Sequence, residues 1–166
     1  QHELNRAGVT IFKGETVAEA DEDGLRLASR EDVPAGFVAL ATGARPQAWL
    51  AGTGLTLHDG FVSVGPTLQS VSHAHVFACG DTAHLSFDPR PKAGVFAVRQ
   101  GAVLAEQIIR LAANQPLAQY YPQKDYLKLV SLGRRRAIAE KWGVTLNLPG
   151  LWALKRHIDL KFMENS

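Results

Sequence analysis

Val76-Phe77-Ala78-Cys79-Gly80-Asp81 is the stretch on which the fold turns. Four apolar or small residues predict a buried strand, and it ends in a glycine and a carboxylate. A loop over Leu85–Pro91 follows, broken by Pro89 and Pro91. From Lys92-Ala93-Gly94 the pattern turns helical: Val95, Val98, Ala102, Ala105, Ile109 and Ala112 recur at three- and four-residue spacing up to about Ala113. In open α/β sheets ligands sit outside the carboxyl ends of the strands. There a carboxylate can accept hydrogen bonds from polyol hydroxyls, and a glycine lets backbone approach a ligand closely. The helix that follows aims free N–H groups and a partial positive charge at the same crevice. That combination suits a sugar-phosphate ligand.

Outward from this stretch, more elements can be read. Leu4 to Val9 has the look of a helix tail entering a strand at Val9–Phe12, so the natural chain is expected to begin upstream. Thr16–Ala20 and Leu25–Ala28 predict a β-hairpin closed by Asp23-Gly24. Phe37–Ala41 is nearly all apolar, as in a strand covered on both faces, and it runs into Thr42-Gly43-Ala44-Arg45-Pro46. A short helical stretch is expected around Trp49-Leu50, a strand at Phe61–Val64 and a connection over Leu68–His75. Tyr126–Ser131 and Ala137–Trp142 alternate with period two and predict an antiparallel hairpin cornered at Gly133. After Pro149-Gly150 comes a short helix with an apolar stripe of Leu151, Leu154, Ile158 and Phe162.

Composition excludes several classes. The 166 residues are 46% hydrophobic and 20% charged, enough for one sizeable core. Cys79 is the only cysteine, so neither an internal disulfide nor a C-x-x-C pair exists within the chain. No apolar run reaches the ~18 residues of a membrane-spanning helix, and Gln1-His2-Glu3 opens no signal peptide. A reducing, cytoplasmic setting is expected, with the inner face of the membrane as a peripheral site. The net charge of +2 is uneven: residues 1–119 carry nine basic and twelve acidic side chains, residues 120–166 nine and four.

His73, His75 and His84 lack the Cys or carboxylate company of a metal site, so no metal ligands are assigned and the three are expected to be solvated loop residues. Arg134-Arg135-Arg136 lacks aromatic interleaving; a solvated turn is expected, and no nucleic-acid partner. The C-terminal helix, with Trp152 and flanking Lys155, Arg156 and Lys161, fits either docking on protein or contact with a membrane surface through 150–163.

Taken together, Ala41-Thr42-Gly43-Ala44-Arg45-Pro46, the Val76–Asp81 stretch and Pro91-Lys92-Ala93-Gly94-Val95-Phe96-Ala97-Val98-Arg99-Gln100-Gly101 resemble the pyridine nucleotide-disulfide oxidoreductase superfamily. Leu127–Ser131 and the ending Trp152…Lys155-x2-Ile158-Asp159-x2-Phe162-Met163 narrow the resemblance to the type II NADH dehydrogenase-like branch, in the form found joined to selenide, water dikinase. The resemblance implies an α/β fold: a partial FAD/NAD(P)-binding, Rossmann-like domain followed by a small α+β C-terminal domain. It places the end of the NAD(P)-binding domain at 1–42, the C-terminal half of the FAD-binding domain at 43–113 and the C-terminal hairpin and helix at 114–166. By resemblance Asp81 binds the ribityl chain of FAD, the backbone of Ala93, Gly94 and Val95 approaches the flavin pyrimidine edge, and Thr42, Gly43 and Gly80 belong to the same cofactor site. Lys92 stands where relatives often carry threonine, either as a cation near the flavin or as a cap on the loop.

The family's G-x-G-x-x-G loops for FAD and NAD(P)H are absent from this chain. Two functions follow. One is the C-terminal part of an FAD-dependent NAD(P)H oxidoreductase that passes electrons to an acceptor such as quinone, with no catalytic residue assigned within the chain. The other is a cofactor-free module that associates as a homo-oligomer through uncovered sheet and apolar faces.

Overall fold

The computed structural model describes residues 2–164. The chain divides into two compact units: 1–42 with 130–138 and 147–166, and 43–129 with 139–146.

In the first unit a short helix α1 (His2–Arg6) precedes a three-stranded antiparallel sheet of β1 (Val17–Ala20), β2 (Gly24–Leu27) and β3 (Asp32–Pro34), in that order. The predicted hairpin is present, and its turn shows why glycine is needed. Gly24 has φ +145°, and a Cβ there would come within 2.3 Å of the Val33 carbonyl oxygen. The Asp21 carboxylate closes the turn by accepting the N–H groups of Asp23 and Gly24, each at 3.0 Å. On the exposed face Arg26 bridges β1 and β3 through Glu19 and Asp32.

Two predicted strands of this unit do not form. Residues 9–12 are irregular, and residues 37–41 join no ladder, with Phe37 86% exposed. Apolar content makes a strand only where a neighbouring strand supplies backbone partners. Among the described residues no strand pairs with either stretch.

The second unit is built on β4 (Leu57–His58), β5 (Phe61–Val64), β6 (Ala83–Leu85) and the helix α2 (Gly94–Ala112). The sheet order is β4-β5-β6, antiparallel between the first pair and parallel between the second. A 3-10 turn over Ala48–Gly52 carries Leu50 into the core, as the sequence around Trp49-Leu50 predicts. Leu50, Val62, Val64, Leu68, Ala78, Ala83, Leu85 and Tyr120 close that core.

The decisive stretch differs from its prediction. Residues 76–79 are extended but make only an isolated bridge, Gln69 with Phe77. The ladder strand is β6, beyond the Gly80–Thr82 turn, and it contains His84. Gly-Asp therefore leads into the parallel strand instead of leaving it. The Gly80 backbone at φ +62° makes the reversal.

Helix α2 spans nearly the predicted range but buries a different face. Phe96, Gln100 and Gln107 are buried, with Val103 and Leu104 packed on the core, whereas Val98 and Ile109 are 51% and 68% exposed. Two glutamines are tolerated inside because both reach backbone. The Gln107 amide donates to the Ala118 carbonyl and accepts the Ala118 N–H, pinning the segment after the helix.

The third sheet runs β7 (Lys128–Gly133), β8 (Arg136–Lys141), β9 (Val144–Leu146). The predicted hairpin is there, and β9 was not foreseen. Both of its turns are tight, Arg134-Arg135 and Trp142-Gly143, with positive φ at both central residues. The Asp125 carboxylate accepts the Trp142 and Tyr126 N–H groups, which hold its acid below the usual carboxylate range. Helix α3 (Leu151–Glu164) closes the chain with no buried residue; Leu154, Ile158 and Phe162 are 44–49% exposed.

Candidate functional site

The site grows from the Gly80–Thr82 turn. Cys79 enters it extended, at φ −146°, and Gly80 reverses the chain directly against α2, where an added Cβ would sit 3.1 Å from that of Ala97. Such closeness is what a Cβ-free residue permits. One turn further along α2, the side-chain amide oxygen of the buried Gln100 accepts the Gly80 N–H at 2.6 Å. Turn and helix are thus locked together by packing on one side and a hydrogen bond on the other.

Asp81 stands at the exposed crest of this locked turn. Ala44, Arg45, Pro46 and Gln47 face Asp81 and Thr82 across a cleft of about 220 Å3. Asp81 and Arg45 line the same cleft, where the exposed carboxylate can meet hydroxyl groups that enter it. Behind the turn, Gly80, Asp81, Lys92, Ala93, Phe96 and Gln100 line a crevice of about 10 Å3, room for roughly one water. A ligand must therefore lie on the cleft side.

Lys92 points inward. Its ammonium donates to the Ala83 carbonyl at the start of β6 and lies 4.1 Å from the Phe61 ring centroid. Burial pushes it below the usual lysine range, against the opposing pull of Asp81. Lys92 thus ties the segment before α2 to the start of β6.

Ala93, extended at φ −148°, precedes α2, and no side chain caps the helix's first amides. Gly94 is exposed, and a Cβ there would meet nothing within 4 Å. Open N–H groups, a bare glycine and the helix dipole make this end receptive to a negatively polarised edge. Val95 is half-buried beside it.

Among the residues read from the sequence, Gly80, Asp81, Lys92 and Ala93 meet at one crevice, with Gly94 and Val95 next in the helix. Gly43, at φ +87°, opens the segment that forms the opposite cleft wall. Thr42 is exposed and belongs to the first unit.

Gln100 was missed. A glutamine in an apolar helical stretch was the available signal, since burying it requires a backbone partner. His84 is not a solvated loop residue either: its ring stacks on His58 at 3.9 Å between centroids. Burial, then His58, then Lys92 push its imidazole below the ordinary histidine range.

A family model described as pyridine nucleotide-disulphide oxidoreductase matches residues 1–101, more than half of the chain. The chain belongs to the pyridine nucleotide-disulphide oxidoreductase family. Solved structures share this oxidoreductase fold at low identity. A NAD-dependent persulfide reductase from A. fulgidus matches at TM-score 0.64 and 22% identity, over 84% of this chain and 26% of its own. The ferredoxin reductase for the CYP199A2 system from Rhodopseudomonas palustris gives 0.57 and 19%, over 85% and 41%. Putidaredoxin reductase, in its covalent complex with putidaredoxin, gives 0.57 and 18%, over 84% and 34%. This chain thus spans about a quarter to two-fifths of the length of those structures. Among its described residues no helix is long and apolar enough to cross a membrane.

The residues fit one section of a flavin nucleotide. The cleft offers an exposed carboxylate for polyol hydroxyls, and the uncapped helix end offers N–H groups for a polarised ring edge. No glycine-rich phosphate loop lies in this chain.

Proposed function

We propose that this chain forms the C-terminal part of an FAD-dependent NAD(P)H oxidoreductase of the type II NADH dehydrogenase-like branch. FAD, when bound, supplies hydride acceptance from NAD(P)H and onward electron transfer, with a quinone as the acceptor class. The residues here bind and orient. Asp81 accepts hydrogen bonds from the polyol, Gly80 and Gln100 hold that carboxylate at the cleft, and Lys92 anchors the wall behind it. The α2 terminus favours negative charge at the ring edge by about 0.3–1 kcal/mol.

A single observation carries this reading: Asp81 stands exposed beside a cleft, on a turn locked to the first turns of an uncapped helix. Losing hydrogen bonds to a charged group costs roughly 1.5–3 kcal/mol. In the complete flavoprotein, Asp81→Ala should therefore lower FAD affinity about tenfold or more, with Asp81→Asn intermediate. Equal flavin content in variant and parent after gel filtration would refute the assignment. The exposed α3 stripe supports approach of this part of the protein to a membrane surface, where a quinone would be met.

A second reading, a cofactor-free association module, is supported by Phe37 and Leu40, 86% and 72% exposed on an unpaired extended segment. Light scattering on the isolated chain separates the two: a colourless oligomer favours this reading, a yellow monomer the first.

A further inference from the structure

The hairpin tip of β7 and β8 and the root of α3 line an open surface cavity of about 360 Å3 within the first unit, with Arg6, Arg135, Arg136, Asn147 and Trp152 on its walls. Three guanidiniums line it, and among the described residues the Glu3 carboxylate pairs with two of them. Glu3 pairs with Arg136 at 3.1 Å and Arg6 at 3.5 Å and accepts the Asn147 amide at 3.0 Å. Arg135 lies 5.6 Å from the Trp152 ring centroid, which orients its planar group without neutralising it. The cavity therefore holds an excess of positive charge on preorganised planar donors.

The turn that presents Arg135 is conformationally unfavourable. Arg134 and Arg135 adopt φ +48° and +58°, a pattern that Asn-Gly satisfies far better. The hairpin keeps two arginines where other residues would close the turn more readily. The expected solvated arginine turn is present, with all three side chains exposed; within it Arg135 lies over Trp152 and Arg136 pairs with Glu3.

We propose that this cavity binds a phosphate group through Arg135, Arg136 and Arg6, the chemistry shared by an anionic lipid headgroup and a soluble phosphate. The planar, forked guanidinium matches phosphate oxygens bidentately. The site is independent of the flavin reading.

The test uses the whole chain and a variant that separates folding from binding. Arg134→Asn with Arg135→Gly relieves the turn while removing two guanidiniums, of which only that of Arg135 lines the cavity, so its thermal midpoint should equal or exceed the parent's. Binding is measured by flotation with phosphatidylglycerol/phosphatidylcholine vesicles and, separately, by calorimetry with inorganic phosphate. The double variant should bind at least tenfold more weakly, and Arg6→Gln severalfold. Lys124→Gln, which removes a charge outside the cavity, should change binding less than twofold. Vesicle binding that inorganic phosphate displaces supports the site with a lipid as its source; phosphate binding without vesicle binding supports it with a soluble source. Absence of both overturns the proposal, as does undiminished binding by the double variant or an equal loss in Lys124→Gln.

Discussion

Phe61–Val64 and Phe37–Ala41 are short apolar runs of nearly the same length and opposite fate. The first lies between β4 and β6, and Val62 and Val64 are almost wholly buried. The second pairs with nothing among the described residues, and Phe37 is 86% exposed. Their composition hardly differs; their neighbours do. A strand is stable where flanking strands take its N–H and C=O groups and a helix covers one face. In the second unit β4, β6 and α2 provide this, and the Gly80–Asp81 turn is rigid because it is fastened to the same helix. The first unit provides none of it for 37–41, so its apolar surface stays open to association.

The contrast is broken most severely through the core of the second unit. Leu68 is fully buried, and Leu68→Ala should cost about 2–5 kcal/mol in urea unfolding. A loss below about 1 kcal/mol would mean that this core is not closed. Gln107→Ala strands the Ala118 N–H and carbonyl and should cost about 2 kcal/mol by the same measurement. Gly80→Ala forces a side chain into positive φ against Ala97, and an expected loss of roughly 1–2 kcal/mol tests how tightly turn and helix are fastened.

Acid should give a smaller effect. The folded His84 imidazole binds its proton less readily than the unfolded one, whose ordinary pKa is near 6.5. The unfolded state then binds more protons below that pH, so stability is complete above 6.5 and falls as pH drops toward the lowered folded value. Thermal melts from pH 7.5 to 5 should show the decline, and His84→Phe, which keeps a ring against His58, should flatten it. Smallest of all, Phe37→Ser should alter stability by less than about 0.5 kcal/mol while reducing self-association. A loss well above that would show that 37–41 is paired after all.

Much of the architecture could be read from residue order. The Asp23-Gly24 hairpin, β5, the span of α2, the hairpin of β7 and β8 and α3 all carry local signals: turn residues, alternation or helical spacing. The failures share a cause. Residues 9–12 and 37–41 had strand composition, but pairing is non-local and their sequence is silent about it. The buried face of α2 was misassigned because an apolar count passes over Gln100 and Gln107, whose burial depends on backbone atoms of Gly80 and Ala118. At the site, Gly80 and Asp81 were legible because glycine and carboxylate are chemically specific. Gln100 and the His58–His84 stack were not, because each depends on a partner about 20 or more residues away.

The central claim, that the Gly80–Asp81 turn and the start of α2 form one cofactor-facing wall, is tested most directly by amide hydrogen exchange of the complete flavoprotein with and without FAD. FAD should slow exchange together at Asp81–Thr82 and Gly94–Val95, and Asp81→Ala should abolish that protection at matched FAD concentration. Bound FAD that leaves those amides unchanged while protecting others would contradict the account.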